Sequence, residues 1–446
     1  MKTSRLLLLV AAIVIISSSF RAYSASIDAL GDEFVDLLAK GDFAQAAARY
    51  DAAMRAALPE PKLREAWQSI EKQIGRFQKR LKTRALKTAG YDVALVTCEL
   101  ERANLDVKVV FNSQGQVTGL FFLPSTPDAD SSKPPPYART NAFREKDFAV
   151  GSGEWQLPGT LTVPVGKASL PCPALVLVHG SGPNDRDESV GGCKPFRDLA
   201  WGLATKGVAV LRYEKRTKEY GARLMSGKIK ITAREETIDD AVTAANQLRK
   251  TQGIDPKRIF VLGHSFGGTE APRIGKAGPD ISGLIIMAGA TRPIEDMIVE
   301  QTRYILSLKG EPSAADQESL RDLESKVAEI KKLTPADANS WTILLGAPPA
   351  YWLDLRAHNP VAEAKSLKQP LLILQGGRDY QVTPAQFDDW KKGLEGSNKV
   401  TFKLYPELNH LFIAGKGKSS PSEYEKGGYV AEEVVSDIAE WLLRAR

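Results

Sequence analysis

The spacing of hydrophobic residues changes along the chain, and each change marks an element. Between residues 27 and 58 the apolar positions follow a helical period. Phe34, Leu37 and Leu38 share a face, Gly41-Asp42 interrupts it, and Phe43 to Leu58 resumes as an alanine-rich helix. Pro59 and Pro61 punctuate, and residues 62–81 repeat the pattern with Leu63, Trp67, Ile70, Ile74 and Phe77. Beyond Gly90 the period falls to two. Tyr91 to Cys98, Asn104 to Phe111 and Gln116 to Leu123 read as strands, with a turn at Asn112-Ser113-Gln114-Gly115. Helices followed by an antiparallel meander predict a small α+β domain over residues 25–124. It holds no catalytic cluster, and packing or solubility is its expected role.

Pro124 to Thr140 is rich in Pro, Ser and Asp and includes Pro134-Pro135-Pro136, which predicts an extended linker over residues 125–142. From Phe143 strands and helices alternate. Phe148–Gly153 and Gly159–Pro164 form a hairpin pattern. Ala174–Val178, Val208–Tyr213, Ile259–Leu262, Ile281–Ala288, Pro370–Gln375 and Lys399–Tyr405 are apolar strands. Helical stretches include Phe196–Thr205, Thr237–Lys250 and Tyr429–Leu443. Fully apolar strands alternating with helices predict a mostly parallel α/β sheet covered on both faces, spanning residues 143–446. Sites on such sheets form beyond the carboxyl ends of the strands. Residues 291–360 break the alternation. Their spacing, with Met297, Ile298, Tyr304, Ile305, Leu308, Leu320, Leu323, Val327 and Ile330, predicts short helices forming a cap over the site. Trp341, Pro348-Pro349, Tyr351 and Trp352 gather near its end, with packing inside the cap their plainest use.

The first residues read as a targeting signal. Lys2 and Arg5 precede the apolar run Leu6–Ile16, which is too short to span a bilayer comfortably, and Ala22-Tyr23-Ser24 offers small residues for cleavage before Ala25. Residues 1–24 are therefore expected to be a signal peptide, with a retained anchor as the alternative, and the protein is expected to be periplasmic or secreted, without stable membrane association once the signal is cleaved. The formal charge is +6, and the chain without the three cations of that leader carries +3. That is too little to point to nucleic acid. Cys98, Cys172 and Cys193 show no metal-ligand spacing. Export permits disulfides, and Cys172 and Cys193 flank one strand and its loop, within reach of pairing.

The chemistry centres on Gly263-His264-Ser265-Phe266-Gly267. It lies between the buried strand Ile259–Leu262 and a helix starting near Gly268. A sharp strand–turn–helix of this kind lifts a serine hydroxyl out of the backbone, where a base and N–H donors can reach it. An imidazole can take the serine proton and return it to the leaving group. Of the four histidines, His264 adjoins the serine and is expected to point away from substrate. His179 lies in the turn after Ala174–Val178. His358 ends the cap and is the reserve base. His410, in Pro406-Glu407-Leu408-Asn409-His410-Leu411-Phe412, follows the last strand at the carboxyl edge and is the expected base. Asp379, in Gln375-Gly376-Gly377-Arg378-Asp379, follows the preceding strand and is the expected carboxylate partner, with Glu295 and Asp296 as alternatives. The oxyanion donors are expected to be the backbone N–H groups of Phe266 and of Ser181, in His179-Gly180-Ser181-Gly182-Pro183.

The order Ser265, Asp379, His410 and the His-Gly stretch together resemble the α/β-hydrolase superfamily over residues 143–446. The run His179-Gly180-Ser181-Gly182-Pro183-Asn184-Asp185-Arg186-Asp187 is similar to its bacterial esterase-D-like branch. The N-terminal region resembles the small accessory module found ahead of exported bacterial serine hydrolases. The resemblance implies cofactor-free hydrolysis of carboxylic esters with short or medium acyl chains, through an acyl-enzyme on Ser265. Asp185 and Asp187 are expected to brace their loop. A peptidase, thioesterase or acyltransferase would keep the same triad, whereas a noncatalytic binding protein would have no need of all three residues.

Overall fold

The computed structural model describes residues 26–88, 91–124, 133–166, 171–224, 231–308 and 310–444. The expected signal peptide and the first part of the expected linker lie outside these residues. The chain divides into two compact units between Ser125 and Thr126.

The first unit contains α1 (Ile27–Ala39), α2 (Phe43–Ala48), α3 (Ala52–Ala57), α4 (Glu60–Ile74) and a sheet of β1 (Phe77–Thr88), β2 (Tyr91–Leu100), β3 (Asn104–Phe111) and β4 (Val117–Pro124). The strands run antiparallel in chain order. Alternate residues Ala94, Val96 and Cys98 on β2 and Leu105, Val107 and Val109 on β3 are buried with Phe34, Leu38, Leu63 and Trp67 from the helices. Two expectations need correction. The helix expected over 43–58 is broken at Tyr50, because β4 claims that backbone: Val117 N donates to Arg49 O at 2.8 Å and Asp51 N to Val117 O at 3.0 Å. Asp51 then caps α3 by accepting from Met54 N at 2.7 Å. The third helical segment stops at Ile74, where Gly75 turns at φ 91°, so Phe77 opens a strand.

The second unit is built on β5 (Phe143–Val150), β6 (Leu157–Pro164), β7 (Cys172–Val178), β8 (Ala209–Tyr213), β9 (Ile254–His264), β10 (Gly283–Met287), β11 (Leu371–Gly376) and β12 (Val400–Tyr405). Among the described residues these form one eight-stranded sheet in the order β12-β11-β10-β9-β7-β8-β6-β5. It is parallel from β12 to β8, and β6 and β5 are antiparallel. The chain crosses from β8 back over β7 to β9, so the order reverses beside β7. The carboxyl ends of β7 and β9 therefore open a crevice.

The helices are α5 (Pro195–Thr205), the short α6 (Arg216–Glu219) and α7 (Gly221–Leu224), α8 (Asp239–Arg249), α9 (Phe266–Ala277), α10 (Ile294–Ser307), α11 (Ala314–Lys332), α12 (Pro349–Arg356), α13 (Pro360–Ser366), α14 (Pro384–Gly393), the short α15 (Ser422–Glu425) and α16 (Glu432–Arg444). On β9, Ile259 and Val261 pack with α8, α9, α13 and α14, while Phe260 and Leu262 pack with α5 and α16. That is the two-sided burial the apolar strands imply. Between β10 and β11, α10 to α12 form the cap insertion, and α13 returns to the core layer through Ala364. The later part of the expected linker is not free. Tyr137 donates to Val430 O at 2.7 Å and Arg139 N to Thr205 Oγ1 at 3.0 Å. The open question of a Cys172–Cys193 pairing is answered by three free, buried thiols. Cys172 Sγ faces Gly253 O, and Cys193 Sγ faces Tyr424 O.

Candidate active site

Ser265 is the single residue between β9 and α9, at φ 52° and ψ −115°. A non-glycine residue there is strained, and the neighbours hold it. Ser265 N donates to Met287 O at 2.9 Å, and its carbonyl accepts from Thr269 N at 3.0 Å. The turn is possible because its glycines lack side chains. A Cβ on Gly263 would lie 2.0 Å from Gly267 O, and one on Gly267 would lie 2.3 Å from Val178 O.

Asp379 and His410 sit on the loops after β11 and β12. The loops are joined by Arg378 N donating to Leu408 O at 2.9 Å. Asp379 Oδ1 accepts from the N–H groups of Gln381 (2.8 Å) and Val382 (2.9 Å), and Oδ2 from Gln375 Nε2 at 3.1 Å. His410 Nδ1 meets Oδ2 at 2.7 Å, with both residues buried. Asn409 shapes the His410 turn by accepting from Leu411 N and Ile413 N, and its own amide donates to Glu423 at 3.0 Å. Burial raises the Glu423 carboxyl, but bonds from Arg378, Asn409 and Ser419 hold it below its ordinary range. The reserve assignments separate from this group. His358 uses Nδ1 toward Glu363 (2.9 Å) and Nε2 toward Thr269 O (3.1 Å). Asp296 pairs with Lys331. Glu295 is buried and lines the cavity described below, while Gln381 and Val382, not Glu295, flank Asp379.

The loop after β7 passes directly over the serine. A Cβ on Gly180 would lie 3.2 Å from Ser265 Cβ. Asn184 ties the loop by donating to Gly180 O and Ser181 O at 3.1 and 3.0 Å. Asp185 accepts from Asp187 N and Ser189 N, and Asp187 pairs with Arg212, so both aspartates brace the loop. Phe266 is the first residue of α9, where a backbone N–H has no intrahelical acceptor. Ser181, Ser265 and Phe266 line one cavity of about 1010 Å³ beneath the cap, with Met297, Ile298 and Tyr351 among its other walls. Trp341 and Ile343 lie at its exposed side, while Trp352 is buried and donates to Leu344 O at 2.9 Å. Among the described residues no group of three His, Cys, Asp or Glu side chains is arranged to hold a metal ion.

Residues 171–416 match the family model described as serine aminopeptidase, S33. Residues 31–120 match one described as a protein of unknown function (DUF3887). The chain is 36% identical to Esterase EstD of Thermotoga maritima over 92% of its own length and 94% of the relative's. The chain belongs to the α/β-hydrolase family of serine hydrolases. This α/β-hydrolase is also 27% identical to dipeptidyl aminopeptidase BIII of Pseudoxanthomonas mexicana, over 55% of this chain and 31% of that protein. Among solved structures, an esterase from Pyrococcus furiosus aligns at a TM-score of 0.42 and 16% identity, covering 68% of this chain and 92% of that one.

Two features of this α/β-hydrolase are not apparent from its motifs. Glu188, at φ 52° and 2% exposed, accepts from Gly180 N at 2.5 Å and lies 2.9 Å from His264 Nδ1. The second contact is a close ion pair set off the ideal hydrogen-bond line. His264 Nε2 reaches His410 O at 3.0 Å, so His264 points away from the cavity and joins the two loops flanking Ser265. Burial disfavours charge on both partners, but each is offset by the other, so Glu188 is held low and His264 raised. The other feature is Lys215, 2% exposed, whose Nζ donates to Gly180 O at 2.8 Å.

Proposed function

We propose that the mature protein is an exported carboxylesterase that forms an acyl-enzyme on Ser265. His410 takes the Ser265 proton and delivers it to the leaving alcohol, and Asp379 holds the imidazole by its Nδ1. The N–H groups of Phe266 and Ser181 bind the developing oxyanion. Water, deprotonated by His410, then releases the acid. The observation carrying this reading is the 2.7 Å contact between His410 Nδ1 and a carboxylate oriented by three further donors, on loops bordering a strained serine. The similarity to an esterase over nearly the whole chain supports ester cleavage. The cavity of about 1010 Å³ has room for acyl chains of short to medium length. The basic, apolar and small-residue pattern of residues 1–24 supports export.

A fluorophosphonate probe should label the wild-type protein and leave Ser265→Ala unlabelled. Turnover of p-nitrophenyl esters should fall on the order of 10⁴-fold or more in that variant. Equal labelling of the two proteins would overturn the mechanism. An ester chain-length series run beside peptide amides and thioesters fixes the bond cleaved, and faster turnover of either competitor would overturn the esterase assignment. Residue 25 as the N-terminus of protein recovered from the periplasm or medium is the expected mark of export.

A further inference from the structure

We propose that Lys215 is a positioning residue that orients and polarises the oxyanion-binding peptide, and that the cap completes this arrangement through Tyr351. The inference rests on the acyl-enzyme reading and extends it to Lys215, which lies behind the cavity wall, and to Glu236 and Tyr351, which form part of that wall. The Gly180–Ser181 peptide carries the Gly180 carbonyl on one side and the Ser181 N–H on the other. A trans peptide points these groups in opposite directions. The carbonyl accepts from Lys215 Nζ at 2.8 Å and from Asn184 Nδ2 at 3.1 Å. Among the described residues no backbone acceptor takes the Ser181 N–H, and Ser181 lines the cavity with Ser265. Drawing the carbonyl toward a buried ammonium therefore turns the N–H toward the cavity, where the oxygen of the reacting carbonyl becomes the oxyanion. It also withdraws electron density from the amide, which makes that N–H a stronger donor to an anion. The other face of Gly180 is fixed too, since its own N–H is held by Glu188 at 2.5 Å. The peptide is therefore set before substrate arrives, which is how fixed dipoles lower a barrier.

Lys215 is placed for this role by contacts from two neighbouring elements. Its Nζ lies 3.2 Å from Glu236 Oε1 and 5.3 Å from the ring centroid of Phe266, the other oxyanion residue. Glu236 sits in a π-helical turn, Arg234–Ile238, a distortion often found at working sites. Its first oxygen also accepts from Thr217 Oγ1 at 3.0 Å, and its second accepts from the Tyr351 hydroxyl on α12 of the cap. The Tyr351 ring in turn stacks on Phe266 with centroids 6.5 Å apart. A chain of contacts thus runs from the cap through Glu236 and Lys215 to Gly180.

The test compares Lys215→Met with the double variant Lys215→Met/Glu236→Gln, which removes both buried charges together and so leaves neither unpaired. Each is first shown to be folded by circular dichroism and a cooperative melt. In folded protein, kcat on p-nitrophenyl esters should fall roughly tenfold to a hundredfold with KM changed little. Loss of a whole oxyanion donor, by comparison, costs about 10²–10³-fold. Affinity for a trifluoromethyl ketone, whose adduct carries an oxyanion, should fall in parallel with kcat/KM. Affinity for the parent methyl ketone should hold. Tyr351→Phe should shift both readouts in the same direction by a smaller factor. A folded Lys215 variant with near wild-type kcat, or one that loses kcat while keeping its trifluoromethyl ketone affinity, overturns the inference. Wild-type protein inert toward every ester would instead overturn the acyl-enzyme reading on which it rests.

Discussion

His179 shows how much a residue's surroundings decide its role. It follows β7 within the motif, yet it is 1% exposed and its ring packs between Phe196 and Tyr213 with centroids 5.1 and 5.4 Å away. Burial is the main cause that brings its pKa down to about 4, with Lys215 adding to the effect and Glu188 opposing it. The folded protein therefore binds this proton less readily than the unfolded chain, where histidine titrates near ~6.5. Its contribution to stability is whole above that pH and declines as pH falls toward 4, by about 2 kcal/mol at pH 5. Urea unfolding at pH 7.5 and pH 5 should show this loss in the wild type and a correspondingly smaller one in His179→Phe. A pH dependence unchanged by the substitution would disprove the assignment. Glu188 carries a related lesson. Its left-handed backbone and contact with His264 come from tertiary packing that no local pattern records.

At the scale of elements, the strand–serine–helix turn was the most legible feature because its requirements are local. Strand, turn residue and helix start all lie within one short run, and Gly263 and Gly267 are needed for close backbone approach. Gly267→Ala should destabilise the protein by roughly 1–3 kcal/mol and displace Ser265, since a Cβ 2.3 Å from Val178 O has no flexible neighbour to yield. A thermal melt and the rate of fluorophosphonate labelling measure the two effects, and unchanged values for both would contradict this account of the turn. The core strands were legible for another reason: both faces are buried, so β7 and β9 appear as continuous apolar runs. Elements decided by distant partners were less so. The alanine-rich stretch after Phe43 has helical propensity throughout, but pairing with Val117 breaks it at Tyr50. Phe77 fits a helical stripe by spacing, and the stop at Gly75 is the signal that separates it from α4. The pairing of Cys172 and Cys193 was left open by the sequence because nearness around β7 says nothing of where each thiol points.

At the scale of the whole molecule, each unit closes its own core. Phe34, Trp67 and the β2 and β3 side chains complete the first, and the clusters on the two faces of the large sheet complete the second. Among the described residues, the proposed catalytic groups and the walls of the cavity come from residues 181–410. A chain lacking residues 25–124 should therefore fold cooperatively and retain turnover of small p-nitrophenyl esters within a few-fold of the intact protein. Loss of that turnover in a folded truncation would make the first unit part of the active site.

The free thiols give the molecule an internal record of its own opening. Burial is the chief cause that pushes the Cys98 and Cys193 thiols up to about 12, and it raises Cys172 as well. None offers the thiolate that alkylating reagents attack at neutral pH. Iodoacetamide should therefore leave the native protein unmodified, and each thiol should react only when its surroundings open. Cys98 belongs to the first unit and Cys172 and Cys193 to the second. Mass spectrometry of peptides alkylated during a denaturant titration would then time the opening of each unit separately, with no residue changed.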